Sequence, residues 1–253
     1  MSPQESKASF EQVCPLPEGS ATLIEGLPGH GLVASIAVDQ ITAQLDLNLC
    51  GNIASDAFPP VVTFEDGVVQ DLVRVYGGTE PTVLTLESDL ALPYDAFEPL
   101  ANCVLEDLSP TFERAIFLAG APAESEEQVG EVTGIATTEA LVSDLKAAGI
   151  TVDTDLGVVG GITGALVREC YQADVPAVLL IVRAHPFLPD PSAAKSVIEN
   201  ALEPLVEFEI DTTELDKQAD DIQQRMHQIA AQYQQMMEGE SQQDQQQVPG
   251  MFQ

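Results

Sequence analysis

Basic residues are scarce in this chain of 253 residues, which has nine lysines and arginines against 41 aspartates and glutamates. The formal net charge is therefore −32. Proteins that bind nucleic acid need clustered Lys and Arg to displace counterions from phosphate, and anionic membrane surfaces attract basic segments for a similar reason. The charge balance thus argues against nucleic acid and against an anionic membrane as partners.

Acidity this pronounced often indicates intrinsic disorder. Here 45% of the residues are hydrophobic and the mean hydropathy is +0.07, so most of the chain is expected to fold around a core. The acidic residues are also dispersed and do not form a single tail. A dispersed acidic surface on a folded protein indicates adaptation to a cytoplasm of high salt, of the haloarchaeal type, where screening removes the self-repulsion.

Cysteine, targeting segments and long apolar runs are also sparse. The four cysteines, Cys14, Cys50, Cys103 and Cys170, show no CxxC spacing and have no histidine nearby in sequence, which argues against a zinc site and favours buried reduced thiols. The N-terminus lacks the apolar run of a signal peptide. The longest apolar stretches, such as Val175 to Val182, are too short to span a bilayer. We therefore expect a cytoplasmic protein without metal or cofactor.

Residues 1–210 are predicted to form an α/β core domain, with a mostly parallel sheet flanked by helices. The predicted strands are Ala21–Glu25, Thr82–Glu87, Arg114–Ala119, Gly134–Thr138, Leu156–Val159 and Pro176–Arg183. The predicted helices are Leu32–Leu45, Asp95–Leu108, Thr138–Ala148, Thr163–Ala173 and Ser192–Leu205. Between Pro60–Glu65 and Val68–Tyr76, the dipeptide Asp66-Gly67 predicts an antiparallel hairpin.

Residues 211–238 are predicted to form a long coiled-coil-like helix. Its apolar residues are spaced alternately by four and three, as in a heptad seam that packs on itself or on another subunit: Leu215, Ala219, Ile222, Met226, Ile229, Tyr233 and Met236. Residues 239–253 are expected to be a flexible tail, since Glu240–Gln247 contains no apolar residue. The tail ends in an apolar tip formed by Met251, Phe252 and Gln253, and an apolar tip on a polar tether is typical of a docking peptide.

Two glycine-rich turns precede predicted helices. The first contains Gly29, His30 and Gly31, and the second contains Gly161, Thr163 and Gly164. The first fits neither the GxGxxG nor the P-loop pattern. Such turns bring backbone N–H groups close to an anion, or they allow tight packing of a strand against a helix, with Thr163 capping the second helix. Ser35 lies close to His30 in sequence, but no GxSxG elbow supports hydrolytic chemistry.

Three stretches resemble the archaeal proteasome assembly chaperone family: Gly26-Leu-Pro-Gly-His-Gly-Leu-Val-Ala-Ser35, Gly160-Gly-Ile-Thr-Gly-Ala-Leu-Val167 and Pro189-Asp-Pro-Ser-Ala-Ala194. The resemblance covers roughly Ala21 to Leu205. It implies an α/β core, a homo-oligomer, and ATP-independent binding to the α-subunit rings of the 20S proteasome. Tail-bearing members resemble proteasome activators that end in a hydrophobic residue, tyrosine and any residue. Phe252 stands at the tyrosine position here and lacks the phenol hydroxyl.

The leading hypothesis is a non-enzymatic proteasome assembly chaperone or activator that docks on α-subunits through Met251, Phe252 and Gln253. The alternative is a small-molecule-binding or hydrolytic α/β protein that uses the turns Gly26–Gly31 and Gly160–Gly164.

Overall fold

The structure, a computed structural model, describes residues 6–17 and 21–225. The chain divides into two compact units, with the boundary between Thr212 and Thr213. In chain order the strands of the first unit are β1 (Ala8–Gln12), β2 (Ala21–Gly26), β3 (Asn48–Ser55), β4 (Thr63–Glu65), β5 (Val68–Gln70), β6 (Val73–Thr79), β7 (Thr82–Ser88), β8 (Phe112–Pro122), β9 (Val132–Ala136), β10 (Thr151–Val152) and β11 (Ala177–Ala184).

Nine of these strands form one mixed sheet, in the order β1-β3-β6-β7-β2-β8-β11-β9-β10. The four central strands, β7, β2, β8 and β11, are parallel, whereas β6, β3 and β1 pair in antiparallel fashion on one side and β9 on the other. The uninterrupted apolar run of residues 177–182 in β11 suits a strand covered on both faces. The predicted α/β class is confirmed, and the expected parallel pairing holds for the centre of the sheet.

The helices of the first unit are α1 (Val33–Gln44), α2 (Phe97–Cys103), α3 (Glu139–Ala147), α4 (Gly161–Gln172), α5 (Pro191–Val197) and α6 (Glu203–Val206). A π-helical turn extends α2 through Val104–Leu108, and another joins α5 to α6 through Ile198–Leu202. Helices α2 and α4 pack together, as do α1 and α5.

The two helix pairs cover opposite faces of the sheet. Leu23 belongs to an apolar cluster with residues of α2 and α4, whereas the next residue, Ile24, is equally buried outside that cluster. Since successive strand residues point to opposite faces, α2 and α4 lie on one face of β2, and α1, which contacts β2, β7 and β8, lies on the other. The predicted flanking by helices is therefore confirmed.

Several local predictions are wrong or incomplete. Residues Leu156–Val159 do not form a strand, and Leu156 and Val158 are fully exposed. Gly157 within this segment and Gly160 directly after it weaken a strand here, and the short β10 pairs with β9 instead. Strands β1 and β3 were also not predicted, because their polar and small residues give only a weak strand pattern.

The Asp66-Gly67 hairpin is confirmed, but β4 and β5 form a separate two-stranded sheet. Beyond the first unit, residues 213–225 are helical; in this helix Leu215 is buried, and Ala219 and Ile222 are half-buried. The other predicted seam residues (Met226, Ile229, Tyr233 and Met236) and residues 239–253 lie outside the described residues. Within the described part of the chain, no helix is both long and apolar enough to cross a membrane.

Candidate functional site

The three stretches that carry the family resemblance meet at one edge of the sheet. Strands β2, β8 and β11 run parallel, so their carboxyl ends lie side by side. The first glycine turn leaves β2, the second begins α4, and Pro189–Ala194 follows β11 and begins α5. This is the edge at which parallel α/β sheets commonly bind ligands, and it is therefore the candidate site.

Glu25, near the end of β2, joins the two glycine turns. Its side chain is fully buried. One carboxyl oxygen accepts from the Leu27 N–H at 3.2 Å and from the Thr163 hydroxyl at 3.4 Å, and the other accepts from the Leu118 N–H at 3.3 Å. Burial outweighs these hydrogen bonds and raises the pKa of Glu25 to about 8. A carboxyl that is protonated at neutral pH thus connects β2, β8 and α4.

The first glycine turn is packed against the protein itself. Gly31 adopts the left-handed conformation, with φ +65°, and its carbonyl accepts from the Asp190 N–H at 2.8 Å. A Cβ atom on Gly120 would lie 2.1 Å from the His30 carbonyl oxygen, so only glycine fits there. Asp190 also caps α5 by accepting from the Ala193 N–H at 2.9 Å. Of the two interpretations of this turn, tight packing is the one that the contacts support.

The first glycine turn lacks the hydrogen-bonded serine and histidine that hydrolytic chemistry requires. His30 Nε2 and Ser35 Oγ are both buried, and neither has a hydrogen-bond partner within the described residues. A nucleophilic serine needs a hydrogen bond to its base. The pair that the sequence places close together is therefore not arranged as a nucleophile and its base in this structure.

The second glycine turn opens onto a cleft. Thr163 does not cap α4 as expected: the N-cap residue is Gly160, which makes no side-chain cap, and the Thr163 hydroxyl donates to Glu25 instead. Next to this turn lies a cleft of about 810 Å³. Gly160, Gly161 and Gly164 line one wall of the cleft, but Gly29, His30 and Gly31 do not line it.

The cleft lies between α2 and α4 and has a mixed lining. Tyr94 and Phe97 form an edge-to-face aromatic pair, with ring centroids 5.5 Å apart. Lys7 and Arg168 are the basic lining residues, and acidic side chains such as Glu98 lie beside them. Within the described ranges, no cluster of His, Cys, Asp and Glu is suited to a metal ion.

A second buried carboxyl, Glu87, lies near the end of β7. Gly26 pairs with Glu87 and Glu25 pairs with Leu86, so the two glutamates point to opposite faces of the sheet. Glu87 accepts from the hydroxyls of Thr42 and Thr85, and burial raises its pKa to about 7. Nearby, Arg74 donates to both carboxyl oxygens of Asp89, at 2.7 and 3.0 Å, and this hydrogen bonding lowers the pKa of Asp89.

The β4–β5 hairpin presents an apolar face that the sequence analysis did not identify. Phe64 and Val69 pair directly across the strands and are 75% and 64% exposed. On the other face Gln70 donates to Glu65 at 3.0 Å. Apolar residues in a strand normally predict a buried face, so nothing in the sequence signals this exposure. Exposed apolar patches commonly mark interaction surfaces.

Together these features define an α/β protein with helices on both faces of a mixed sheet and glycine turns joined through a buried glutamate. The model of the PAC2 family matches residues 23–230. The chain therefore belongs to the PAC2 family. This assignment, together with the solved structures described below, confirms the resemblance to archaeal proteasome assembly chaperones.

Relatives of known sequence and structure agree with this assignment. An uncharacterised protein of Methanocaldococcus jannaschii is 31% identical over 216 residues, which are 85% of this chain and 87% of the relative. The crystal structure of Pyrococcus furiosus PbaA, an archaeal homologue of proteasome-assembly chaperone, has a TM-score of 0.81 and 25% identity; the match covers 95% of this chain and all of PbaA.

Pyrococcus furiosus PbaB, described as an archaeal proteasome activator, has a TM-score of 0.80 at 20% identity, over 88% of this chain and 99% of PbaB. At this identity PbaB supports the fold alone. The proposed docking residues Met251, Phe252 and Gln253 lie outside the described residues, so their role is a prediction from the sequence.

Proposed function

We propose that the protein is a non-enzymatic, ATP-independent assembly chaperone or activator of the proteasome. It acts as a homo-oligomer and binds the α-subunit rings of the 20S proteasome. The observation that carries this proposal is the similarity to PbaA, which extends over the whole of that chain. The tight packing of the first glycine turn and the lack, within the described residues, of a hydrogen bond from Ser35 to a base favour a binding role over hydrolysis.

The C-terminal tripeptide supplies the contact with the ring. Phe252 enters an apolar cleft between neighbouring α-subunits, and the terminal carboxylate of Gln253 meets a basic group there. The polar stretch Glu240–Gln247 gives the tip a reach of about 15 Å as a random coil. One tripeptide offers little contact area, but several tails on one oligomer raise the avidity by about 10²–10⁴.

Surface-plasmon binding to purified α-rings in molar KCl tests this proposal. Deletion of residues 251–253 should abolish binding, and Phe252→Ala should weaken it strongly, whereas Phe252→Tyr should preserve or strengthen it. Gln247→Ala, in the tether, is the matched control and should bind like the parent protein. If Phe252→Ala binds α-rings as well as the parent does, the C-terminal tripeptide is not the contact with the ring.

The cleft beside the second glycine turn supports one alternative, a small-molecule-binding protein. A Cβ atom on Gly160 would meet nothing within 4 Å, so this position has room for a side chain, and Gly160→Val adds apolar bulk at the cleft. Under the leading proposal this variant binds α-rings normally. Loss of ring binding in Gly160→Val, with Phe252→Ala unaffected, would favour the cleft as the functional site.

A further inference from the structure

Cys14 and Cys50 lie against each other at the edge of the nine-stranded sheet. Gln12, the last residue of β1, pairs with Gly51 of β3. The chain continues along β3 beyond this pair, since the N–H groups of Val13 and Cys14 both donate to the Cys50 carbonyl, at 2.8 and 3.2 Å. The backbones that carry the two cysteines are therefore in direct contact.

The two thiols also converge. Cys14 Sγ donates to the Pro15 carbonyl at 3.5 Å, and Cys50 Sγ approaches the same oxygen at 3.8 Å. Both cysteines are free thiols whose sulfur atoms neighbour one shared carbonyl oxygen, and proximity of the two thiols is the first requirement for a disulfide.

The two cysteines differ in accessibility. Cys14 is half-buried, whereas Cys50 is buried. Cys103 and Cys170 are also buried; the thiol of Cys103 donates to Asp107 at 3.4 Å. A reagent from solvent therefore reaches Cys14 first, and Cys50 is the thiol placed to react with it next.

We propose that Cys14 and Cys50 form a redox-sensitive pair, which closes an intrachain disulfide when the protein meets a small-molecule disulfide. The Cys14 thiolate attacks one sulfur of the reagent, which forms a mixed disulfide and releases one reagent thiolate. The Cys50 thiolate then attacks the Cys14 sulfur and releases the second reagent thiolate. Two protein thiols are oxidised, the reagent disulfide is reduced to two thiols, and the two protons pass to the departing thiolates.

The environment of Cys50 sets the rate of the second step. Burial raises the pKa of Cys50 to about 12, and thiolates, not thiols, are the nucleophiles. Closure of the disulfide is therefore slow at neutral pH and accelerates as the pH rises. Brief exposure therefore leaves a transient mixed disulfide on Cys14, and sustained exposure closes the intrachain disulfide.

The disulfide would link the segment after β1, the edge strand, to β3. β1 is the terminal strand beside β3, and Ser6, Lys7 and Ala8, at the start of β1, line the 810 Å³ cleft. A crosslink from Cys14 to Cys50 restricts the unfolded chain and holds the end of β1 on the sheet. Oxidation thus stabilises the folded protein.

Incubation of the full-length protein with glutathione disulfide, followed by acid quenching and intact mass measurement, tests the proposal. The parent protein should lose two hydrogen masses without a lasting adduct, and thiol-blocked peptide mapping should join Cys14 to Cys50. Cys14→Ser should form no internal disulfide. Cys50→Ala should stop at one glutathione adduct on Cys14, and Cys103→Ser should behave like the parent.

Thermal unfolding gives a second measurement on the unmodified sequence. The oxidised parent should melt at a higher temperature than the reduced protein, and a phosphine reductant should reverse the increase. A stable glutathione adduct on Cys14 in the parent, or a disulfide that involves Cys103 or Cys170, would overturn the proposal. This comparison of melting temperatures uses the parent protein only, so any folding defect in the variants does not affect it.

Discussion

At the residue scale, Glu25 has the most unusual environment in the described part of the site. Its side chain is fully buried, and its pKa is raised by burial with no charged group among the described residues acting on it. Its hydrogen bond with Thr163 connects two segments that lie 138 residues apart in sequence. Burial of a charged carboxylate is costly, so the protein holds this group in its protonated form at neutral pH. The same contact brings the two glycine turns together.

Glu25 makes the stability of the fold depend on pH. Because its pKa is about 8 in the folded protein and near 4.5 when unfolded, its stabilising effect is complete below about pH 4.5 and is lost as the pH rises through 8. The slope approaches about 1.4 kcal/mol per pH unit between these limits. Urea unfolding at several pH values should show the parent losing stability relative to Glu25→Gln from pH 5 to 8.

The matched control is Glu113→Gln, which changes an exposed carboxyl on β8. Its stability should run parallel to that of the parent across the same pH range. A constant difference between the parent and Glu25→Gln from pH 5 to 8 would contradict a raised pKa. Glu87 contributes in the same direction, with its pKa near 7, and remains in both proteins.

The sequence identified the glycine turns but not the residue that joins them. Glycine patterns are visible in the sequence because few other residues occupy tight strand-to-helix connections. Glu25, in contrast, follows an apolar strand segment, and its burial depends on α4 closing over the sheet. The close approach of His30 to Gly120 likewise depends on two distant segments, so no local pattern predicts it.

At the element scale, the β4–β5 hairpin is the clearest candidate for a self-association surface. A two-stranded sheet is only marginally stable alone in water, yet this one exposes Phe64 and Val69 on one face. We predict that this face contacts a second copy of the chain, because the proposed homo-oligomer needs an apolar contact to offset its acidic repulsion.

Phe64→Ser should weaken self-association by about tenfold or more, since burial of a phenylalanine side chain contributes about 1.5–3 kcal/mol. Sedimentation velocity over a concentration series in molar KCl measures the change. Phe187→Ser is the control, because Phe187 is 88% exposed in a different loop. An unchanged association constant for Phe64→Ser would exclude the hairpin, and loss of α-ring binding alone would assign the face to that partner instead.

The helix that begins at residue 213 allows a separate test of the heptad seam, namely whether its apolar residues are packed. The half-buried Ile222 and the exposed Gln223 are neighbours on this helix. Ile222→Asp should split the oligomer or unfold the helix, whereas Gln223→Asp, which adds the same charge outside the seam, should do neither. An unchanged sedimentation profile and helicity for Ile222→Asp would contradict a packed seam.

The elements that the sequence predicted well are those with strong local patterns. The central strands β2, β7, β8 and β11 and the helices around them have apolar sequences of the expected length. The short β10 and the polar edge strand β1 gain their stability from pairing with neighbours, which local propensity does not reveal. Conversely, the apolar residues Leu156 and Val158 are exposed because the sheet position beside β9 is taken by β10.

At the scale of the whole molecule, the dominant feature is a net charge of −32. Favourable ion pairs exist, such as that of Arg74 with Asp89, but nine basic residues cannot neutralise 41 acidic ones. The remaining carboxylates repel one another, and this repulsion favours the expanded, unfolded chain. Dissolved cations reduce it, because the Debye length falls from about 30 Å at 0.01 M salt to about 3 Å at 1 M.

The melting temperature should therefore rise with KCl concentration, most steeply at low salt, where the Debye length changes most. Calorimetric melts from 10 mM to 3 M KCl measure this dependence. Sucrose is the control, because it stabilises by exclusion from the protein surface without screening charge; it should not reproduce the steep rise. A melting temperature that is independent of KCl from dilute buffer upward would show that the acidic surface does not limit stability, and the predicted adaptation to high salt would then be wrong.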